Sequence, residues 1–256
     1  MTDPVNYFDY QAPADLLAGK VILITGSSEG IGRAAALSFA KHGATVILHG
    51  RNVARLEALY DEIIAAGGKE PAIMTADLQS ADYEDFMVWQ NSIGTEFGRL
   101  DGLLHNAGQL GRINPMANCL TSDWDKVMQV NVNAQFMLTK AMLPLLEESD
   151  AGSILFTSSS VGRQGRANWS AYSVSKFATE GMMQVLADDL ENISNIRVNS
   201  INPGATNTAM RRLAYPGEAP TSNPEPEAIM DSYLFLMGDE SRDISGQAIN
   251  AQKPKT

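Results

Sequence analysis

The chain has 256 residues, 44% of them apolar and 19% charged, with a net charge of −11 at pH 7. That excess of carboxylates disfavours sequence-independent binding to nucleic acid or to an anionic membrane surface. A single cysteine, Cys119, excludes an internal disulfide and, with three scattered histidines, gives no metal-ligand pattern, so a reducing, cytoplasmic compartment is expected.

Residues 1–14 are acidic and interrupted by Pro4 and Pro13, with no basic start and no apolar core. They read as an N-terminal extension rather than a signal peptide. No apolar run approaches the ~20 residues that cross a bilayer. Residues 15–256 show no linker and no repeat, and one domain is expected.

Short apolar, β-branched runs then alternate with longer segments of helical period. Lys20–Thr25 is a continuous apolar run, as a strand covered on both faces requires. A helix is expected from Ile31 to His42, a strand over Ala44–His49 and a helix over Val53–Ala66. Pro71–Ala76 is a third strand, Ala81–Phe97 a helix and Leu100–His105 a fourth strand. One long helix is expected from Ser122 to Leu146, then a strand at Ser153–Ser158 and a helix from Ser170 to Glu191. Ile196–Ile201 is a sixth strand. A polar, proline-rich stretch from Tyr215 to Pro226 precedes a last helix, Glu227–Met237, and Gln247–Asn250 ends the pattern as a short strand.

Repeated β-α units predict a doubly wound α/β fold, a parallel sheet with right-handed crossovers and helices on both faces. Ligands of such sheets bind beyond the carboxyl ends of the strands. The first of these ends is Thr25-Gly26-Ser27-Ser28-Glu29-Gly30-Ile31-Gly32, between a strand and a helix. Gly26 suits a tight turn, Gly30 lets the backbone approach a pyrophosphate, and Gly32 lets the helix pack closely. Gly26-Ser27-Ser28-Glu29-Gly30 also spells the G-x-S-x-G elbow of α/β-hydrolases. That chemistry needs an acid and then a histidine far downstream, but the last histidine is His105 and the C-terminal half has none, so the hydrolase reading fails.

Among the tyrosines, Tyr172 alone has a lysine four residues later, Lys176, on one face of a predicted helix. Bringing a phenol from pKa ~10 toward neutrality takes about 4 kcal/mol, which an ammonium ~4 Å away supplies at an effective dielectric of ~20. Such a pair makes a proton donor or acceptor. Ser159, thirteen residues earlier after the fifth strand, is placed to hydrogen-bond a substrate oxygen as charge develops on it.

Together these motifs resemble the short-chain dehydrogenase/reductase family, and in particular its 3-oxoacyl-carrier-protein reductase-like members, from about Leu17 to Ile249. Thr25-Gly26-x-x-x-Gly30-Ile31-Gly32, with Ser28, matches the cofactor turn. Asp77-Leu78 matches a pair contacting adenine, and Asn106-Ala107-Gly108 the central-sheet motif, with His105 in place of its first asparagine. Asn131 matches an asparagine holding a proton-relay water. Ser159, Tyr172 and Lys176 match the catalytic residues. Pro203-Gly204, Thr206 and Thr208 match the segment over the nicotinamide. The resemblance implies a single Rossmann domain with seven strands in the order 3-2-1-4-5-6-7. It implies hydride transfer between a nicotinamide and a carbonyl or secondary alcohol, with Tyr172 as general acid/base and Lys176 lowering its pKa. It also implies a homodimer or homotetramer through the helices carrying Asn131 and Tyr172, with Val174, Phe177, Met182, Met183 and Val185 as the apolar surface.

Cofactor choice turns on the residue ending the second strand. Gly50 stands where an NAD-selective aspartate would sit, and Arg51-Asn52 follow. A charge-assisted bond from Arg51 to a 2′-phosphate is worth about 1.5–3 kcal/mol, roughly ten- to a hundredfold. NADP(H) is therefore expected, with NAD(H) and alcohol oxidation as the alternative; Glu29 opposes phosphate unless it points to solvent or pairs with an arginine. A non-catalytic dinucleotide sensor or scaffold is a second alternative, against which the intact Ser159, Tyr172, Lys176 and Asn131 stand.

The covering segment is expected over residues 205–225. Arg163, Gln164, Arg166, Asn168 and Trp169 between the catalytic residues, with Arg112, Asn114, Met210, Arg211, Arg212, Leu213 and Tyr215, are expected near the pocket. The arginines point to an anionic or highly polar substrate. The tail Gly246-Gln247-Ala248-Ile249-Asn250-Ala251-Gln252 departs from the family's usual ending, Asp-Gly-Gly.

Overall fold

Val21–Thr25 (β1) divides its side chains between two apolar layers: Ile22 and Ile24 enter one, Val21 and Leu23 the other. That is the period-two pleat of a strand buried on both faces. In the computed structural model, which describes residues 7–253, the same division recurs across the sheet. Leu155 of Ser153–Thr157 (β5) joins the first layer, while Ile154 and Phe156 join the second.

The elements follow the predicted alternation. After β1 come Gly30–Lys41 (α1), Thr45–Gly50 (β2), Val53–Ala65 (α2), Ala72–Thr75 (β3), Tyr83–Phe97 (α3) and Gly102–His105 (β4). Thr121–Met128 (α4) and Ala134–Glu147 (α5) precede β5; Ser170–Leu190 (α6), Arg197–Asn202 (β6), Ala209–Ala214 (α7), Met230–Met237 (α8) and Ala248–Asn250 (β7) follow it. The strands form one sheet in the order β3-β2-β1-β4-β5-β6-β7, every pair parallel. Phe39 and Ala36 of α1 and Tyr233 and Phe235 of α8 cover one face; Phe86 of α3, Leu138 and Met142 of α5 and Met183 of α6 cover the other. Each such large side chain, fully buried, stabilises the fold by ~1.5–3 kcal/mol.

The long helix expected from Ser122 to Leu146 is broken. Gln129–Asn133 forms a π-turn between α4 and α5, and Asn131 lies in it. A π-turn carries one residue more than the α-turn it replaces, which no apolar periodicity reveals. A second difference is α7, a helix within the expected covering segment, where the sequence pattern predicts no element: Thr208 caps it, its hydroxyl accepting from Arg211 N–H at 3.1 Å. The expected last helix instead opens with a 3-10 turn at Pro226–Ile229.

Of the N-terminal extension, residues 1–6 lie outside the described residues. Tyr10, in the remainder, packs edge-on against Phe235 with centroids 5.3 Å apart and donates to Glu240 at 2.9 Å. No helix among the described residues is long and apolar enough to cross a membrane.

Candidate active site

The strand ends β1, β2, β4, β5 and β6 open into one cleft of about 540 Å³. At one end lies the glycine turn. A Cβ on Gly32 would come within 2.2 Å of the Gly26 carbonyl oxygen, and one on Gly26 within 2.9 Å of Ala107 Cα, so both positions exclude a side chain. Gly26 and Gly30 have φ of +69° and +57°, conformations glycine adopts without strain. Asn106 holds the turn from β4, its amide donating to the carbonyls of Thr25 and Gly26, each at 3.2 Å. Glu29, at the N-cap of α1, gives no side-chain cap, so the first-turn N–H groups remain available to an anion.

His49 is a member of this site that sequence reasoning missed. Its Nδ1 accepts from Gly26 N–H at 3.3 Å, and its Nε2 lies 3.3 Å from the Ala76 carbonyl, which fixes the neutral Nε2–H tautomer. Burial brings its pKa down to about 4, against the Ala76 bond and Asp77, which raise it, and with Arg51, which lowers it. A buried histidine ending a fully apolar strand was the available signal.

Arg51 stands 72% exposed at the mouth, 3.8 Å from Asp77 Oδ2. Glu29 pairs with Arg55, one turn into α2, and not with Arg51. Ser28, Asp77 and Leu78 line the cleft with Arg51. Asn52 does not: its side chain caps α2 by accepting from Arg55 N–H at 3.1 Å, and it borders a neighbouring groove.

At the other end are Ser159, Tyr172 and Lys176, all lining the cleft. Burial pushes the Tyr172 phenol up to about 12, opposed by a hydrogen bond with the Ser159 hydroxyl. Burial brings Lys176 down to about 8, with Glu180 opposing. The Lys176 ammonium donates to the Thr157 carbonyl at 2.6 Å and lies 5.6 Å from the Tyr172 ring centroid. The lowering of the phenol by Lys176 that the resemblance implies does not show in this structure: burial shifts both groups toward their neutral forms.

Asn131 does not line the cleft. It is fully buried behind it, bonded to Gln109 and Ser175. A Cβ placed on Gly108 would meet Asn131 Oδ1 at 3.6 Å and Lys176 Nζ at 3.8 Å, so Gly108 lies beside both side chains. His105, in the expected asparagine's place, stacks on Phe156 at 4.7 Å and bonds Thr139 at 2.8 Å, a packing role at the sheet's centre.

Pro203, Gly204, Thr206 and Thr208 form the far wall with α7. Thr208 reaches across to the glycine turn: a Cβ on Gly30 would lie 3.5 Å from its methyl. Around Tyr172 the wall is apolar, from Leu110, Val161, Trp169, Met210 and Ala214. Most of the expected pocket arginines are committed elsewhere. Arg163 turns inward to Glu180 at 2.9 Å, Arg211 makes a two-pronged pair with Glu218 at 2.6 and 2.8 Å, Arg112 pairs with Asp123, and Arg212 donates to Asn207. Arg211, despite that pair, and Arg166 line the cleft as expected, Arg166 donating to the Tyr215 hydroxyl at 3.0 Å. Gln164, Asn168, Asn114 and Leu213 also stand off the wall, although Asn114 positions Trp169 through a parallel bridge. Among the described residues no cluster of His, Cys, Asp and Glu suits a metal.

Comparison with known proteins agrees with this architecture. Residues 20–219 match the family described as short chain dehydrogenase. The chain is 54% identical to the oxidoreductase YciK of Escherichia coli K12 over 243 residues, 95% of this chain and 96% of that one. It is 33% identical to the 3-oxoacyl-[acyl-carrier-protein] reductase FabG of Thermotoga maritima, covering 91% of this chain and 96% of the relative. A short chain dehydrogenase from Shigella flexneri 2a strain 301, solved in complex with NADP, superposes with a TM-score of 0.92 at 53% identity, covering 94% of this chain and all of that one. The cleft, the sheet order and these likenesses agree: the chain belongs to the short-chain dehydrogenase family of oxidoreductases.

Proposed function

We propose that the protein is an NADP(H)-dependent oxidoreductase that interconverts a carbonyl compound and its alcohol, with Tyr172 as the proton donor and acceptor. The observation that carries this reading is the single cleft joining an uncapped helix start behind the glycine turn to the Ser159–Tyr172–Lys176 group. Gly26, Gly30, Gly32 and the α1 N-terminus suit the pyrophosphate; Asp77 and Leu78 suit the adenine; Arg51 suits a 2′-phosphate. Pro203, Gly204, Thr206 and Thr208 suit the nicotinamide end. The cofactor supplies or takes a hydride at the substrate carbon. The Shigella flexneri relative solved with NADP supports this choice.

The protein residues handle the oxygen. Ser159 donates to the substrate oxygen as it gains charge. Tyr172, whose raised pKa keeps its proton in place at neutral pH, passes that proton to the more basic alkoxide. The Lys176 ammonium offsets the charge left on the phenolate. The apolar wall of Leu110, Val161, Trp169, Met210 and Ala214 favours a substrate with an apolar body. Arg166 at the rim offers a contact for a polar or anionic end. Self-association through α5 and α6, where Phe136, Phe177 and Val185 are exposed, completes the proposal. Met183, expected on that surface, is core.

The test is titration with NADPH and with NADH, followed by nicotinamide fluorescence, in wild type and Arg51→Ala. NADPH is expected to bind more tightly and to lose roughly tenfold in the variant, since exposure trims the arginine's contribution. NADH binding as tight as or tighter than NADPH binding in wild type would overturn the NADP(H) reading.

A further inference from the structure

The tail of the chain enters the cleft wall at one point. β7 ties it to the sheet, and Ala251 N–H donates to the Asn202 carbonyl at 2.9 Å. From there the Gln252 amide reaches the Pro203–Thr206 loop. Its Nε2 donates to the carbonyls of Pro203 at 2.8 Å and Ala205 at 2.9 Å, with Thr206 Oγ1 at 3.3 Å. Two carbonyl acceptors require the NH₂ end of the amide there, so its orientation is fixed by chemistry. The Thr206 hydroxyl returns to Pro203 O at 3.3 Å, and Gly204 N–H donates to Asn202 Oδ1 at 3.1 Å. Gly204 sits at φ +72°, and a Cβ on it would fall 2.8 Å from Gln252 Nε2. The glycine thus admits the amide as well as the turn.

We infer that Gln252 is a positioning residue: it sets the shape of the Pro203–Thr206 loop and, through it, the affinity for the nicotinamide end of the cofactor. Pro203, Gly204, Ala205 and Thr206 all line the cleft, whereas Gln252 does not. Its influence is therefore exerted through the loop. The loop has no ladder bonds of its own between β6 and α7, so two amide hydrogens on the carbonyls either side of Gly204 are a large part of what holds it. The functional half of this inference rests on the cofactor reading above; the clamp itself does not.

Two variants separate hydrogen bonding from packing. Gln252→Glu is nearly isosteric but turns a carboxylate toward two carbonyl oxygens; Gln252→Ala removes the side chain and admits water. Lys253→Ala, which breaks only an exposed pair with Asp9, is the control. Amide hydrogen exchange of the 203–208 segment, without cofactor, reads the clamp. It is expected to rise roughly tenfold in Gln252→Ala and further in Gln252→Glu, as the loss of two bonds predicts. NADPH affinity is expected to weaken by about tenfold in the same order, with Tm nearly unchanged and Lys253→Ala matching wild type.

Unchanged exchange in both variants would overturn the clamp. Faster exchange with unchanged NADPH affinity would overturn the functional role and leave a structural one. Failure of wild type to bind NADPH would overturn the cofactor reading and the role that depends on it, while exchange would still decide the clamp.

Discussion

Asn131 holds Gln109 at both its main-chain polar groups: Oδ1 accepts from Gln109 N–H at 2.7 Å, and Nδ2 donates to Gln109 O at 3.0 Å. The same Nδ2 lies 3.0 Å from Ser175 Oγ, next to Lys176 on α6. One buried amide thus joins the loop after β4, the π-turn and the helix carrying Tyr172. Removing it takes this partner from the half-buried main-chain groups of Gln109, at up to about 1–3 kcal/mol each.

Asn131→Ala is therefore expected to lower Tm by several degrees and turnover by at least ~10-fold, since a small misplacement of Lys176 is felt at the reacting oxygen. Denaturation and steady-state kinetics on the same preparation check this. Lost stability with full turnover per folded molecule would confine Asn131 to the scaffold.

Tyr172→Phe is expected to lose ~10²–10⁴ in turnover while NADPH binding stays within about twofold. Because Lys176 sits near 8, carbonyl reduction is expected to fall as pH rises through 8, where the ammonium is lost. Between pH 8 and the ordinary lysine value of 10.5 the unfolded chain keeps a proton that the folded chain has released. Stability should then rise with pH across that window, by up to ~3 kcal/mol. Denaturant midpoints at pH 7.5 and 9.5 are expected to show this rise in wild type and its loss in Lys176→Met. An equal rise in both would assign it to other groups.

His49 predicts acid sensitivity of the glycine turn. Its pKa is lowered to about 4 in the fold, so from pH 6.5 down to 4 the unfolded chain takes up a proton that the folded chain refuses. Stability is complete above 6.5 and declines as pH falls through that range. Protonation of Nδ1 would also displace Gly26 N–H, so NADPH affinity should decline in parallel. His49→Gln, which does not titrate, should flatten both slopes; an unaltered slope would mean that other groups carry it.

Trp169 touches both Tyr172 and Tyr215, with ring centroids 5.7 and 5.9 Å apart. For an aryl or alicyclic ketone reduced by the wild type, Trp169→Ala is expected to raise KM roughly tenfold or more, the worth of a large apolar contact. Arg166→Ala should affect carboxylate-bearing ketones far more than neutral ones. Equal effects on both substrate types would remove the arginine from recognition.

Much of this was legible because parallel strands buried on both faces are written as continuous apolar runs. Gly26, Gly30 and Ser159 are read from their places after such runs, and Tyr172 and Lys176 from their four-residue spacing on a helix. The remainder depends on partners distant in the chain. Arg163 reads as a pocket residue until Glu180 takes it inward at 2.9 Å. Arg211 reads as free until Glu218 and the Tyr215 ring, 3.8 Å from its guanidinium, hold it. The six-residue helix α7 is masked by prolines on its far side, and burial in the folded chain, which no pair of residues four apart reveals, pushes the Tyr172 phenol up.

The turn at Gln129–Asn133 also constrains how the chain tolerates a change of length. A single-residue deletion there would let α4 run into α5 as one regular helix, with α5 kept in phase because the turn already holds the extra residue. Leu138, Met142 and Leu145 would stay against the sheet, but the bulge that places Asn131 against Gln109 and Ser175 would be gone. A substitution at Val130 or Asn133 leaves that bulge in place. At this point in the chain, the number of residues is under stricter control than their identity.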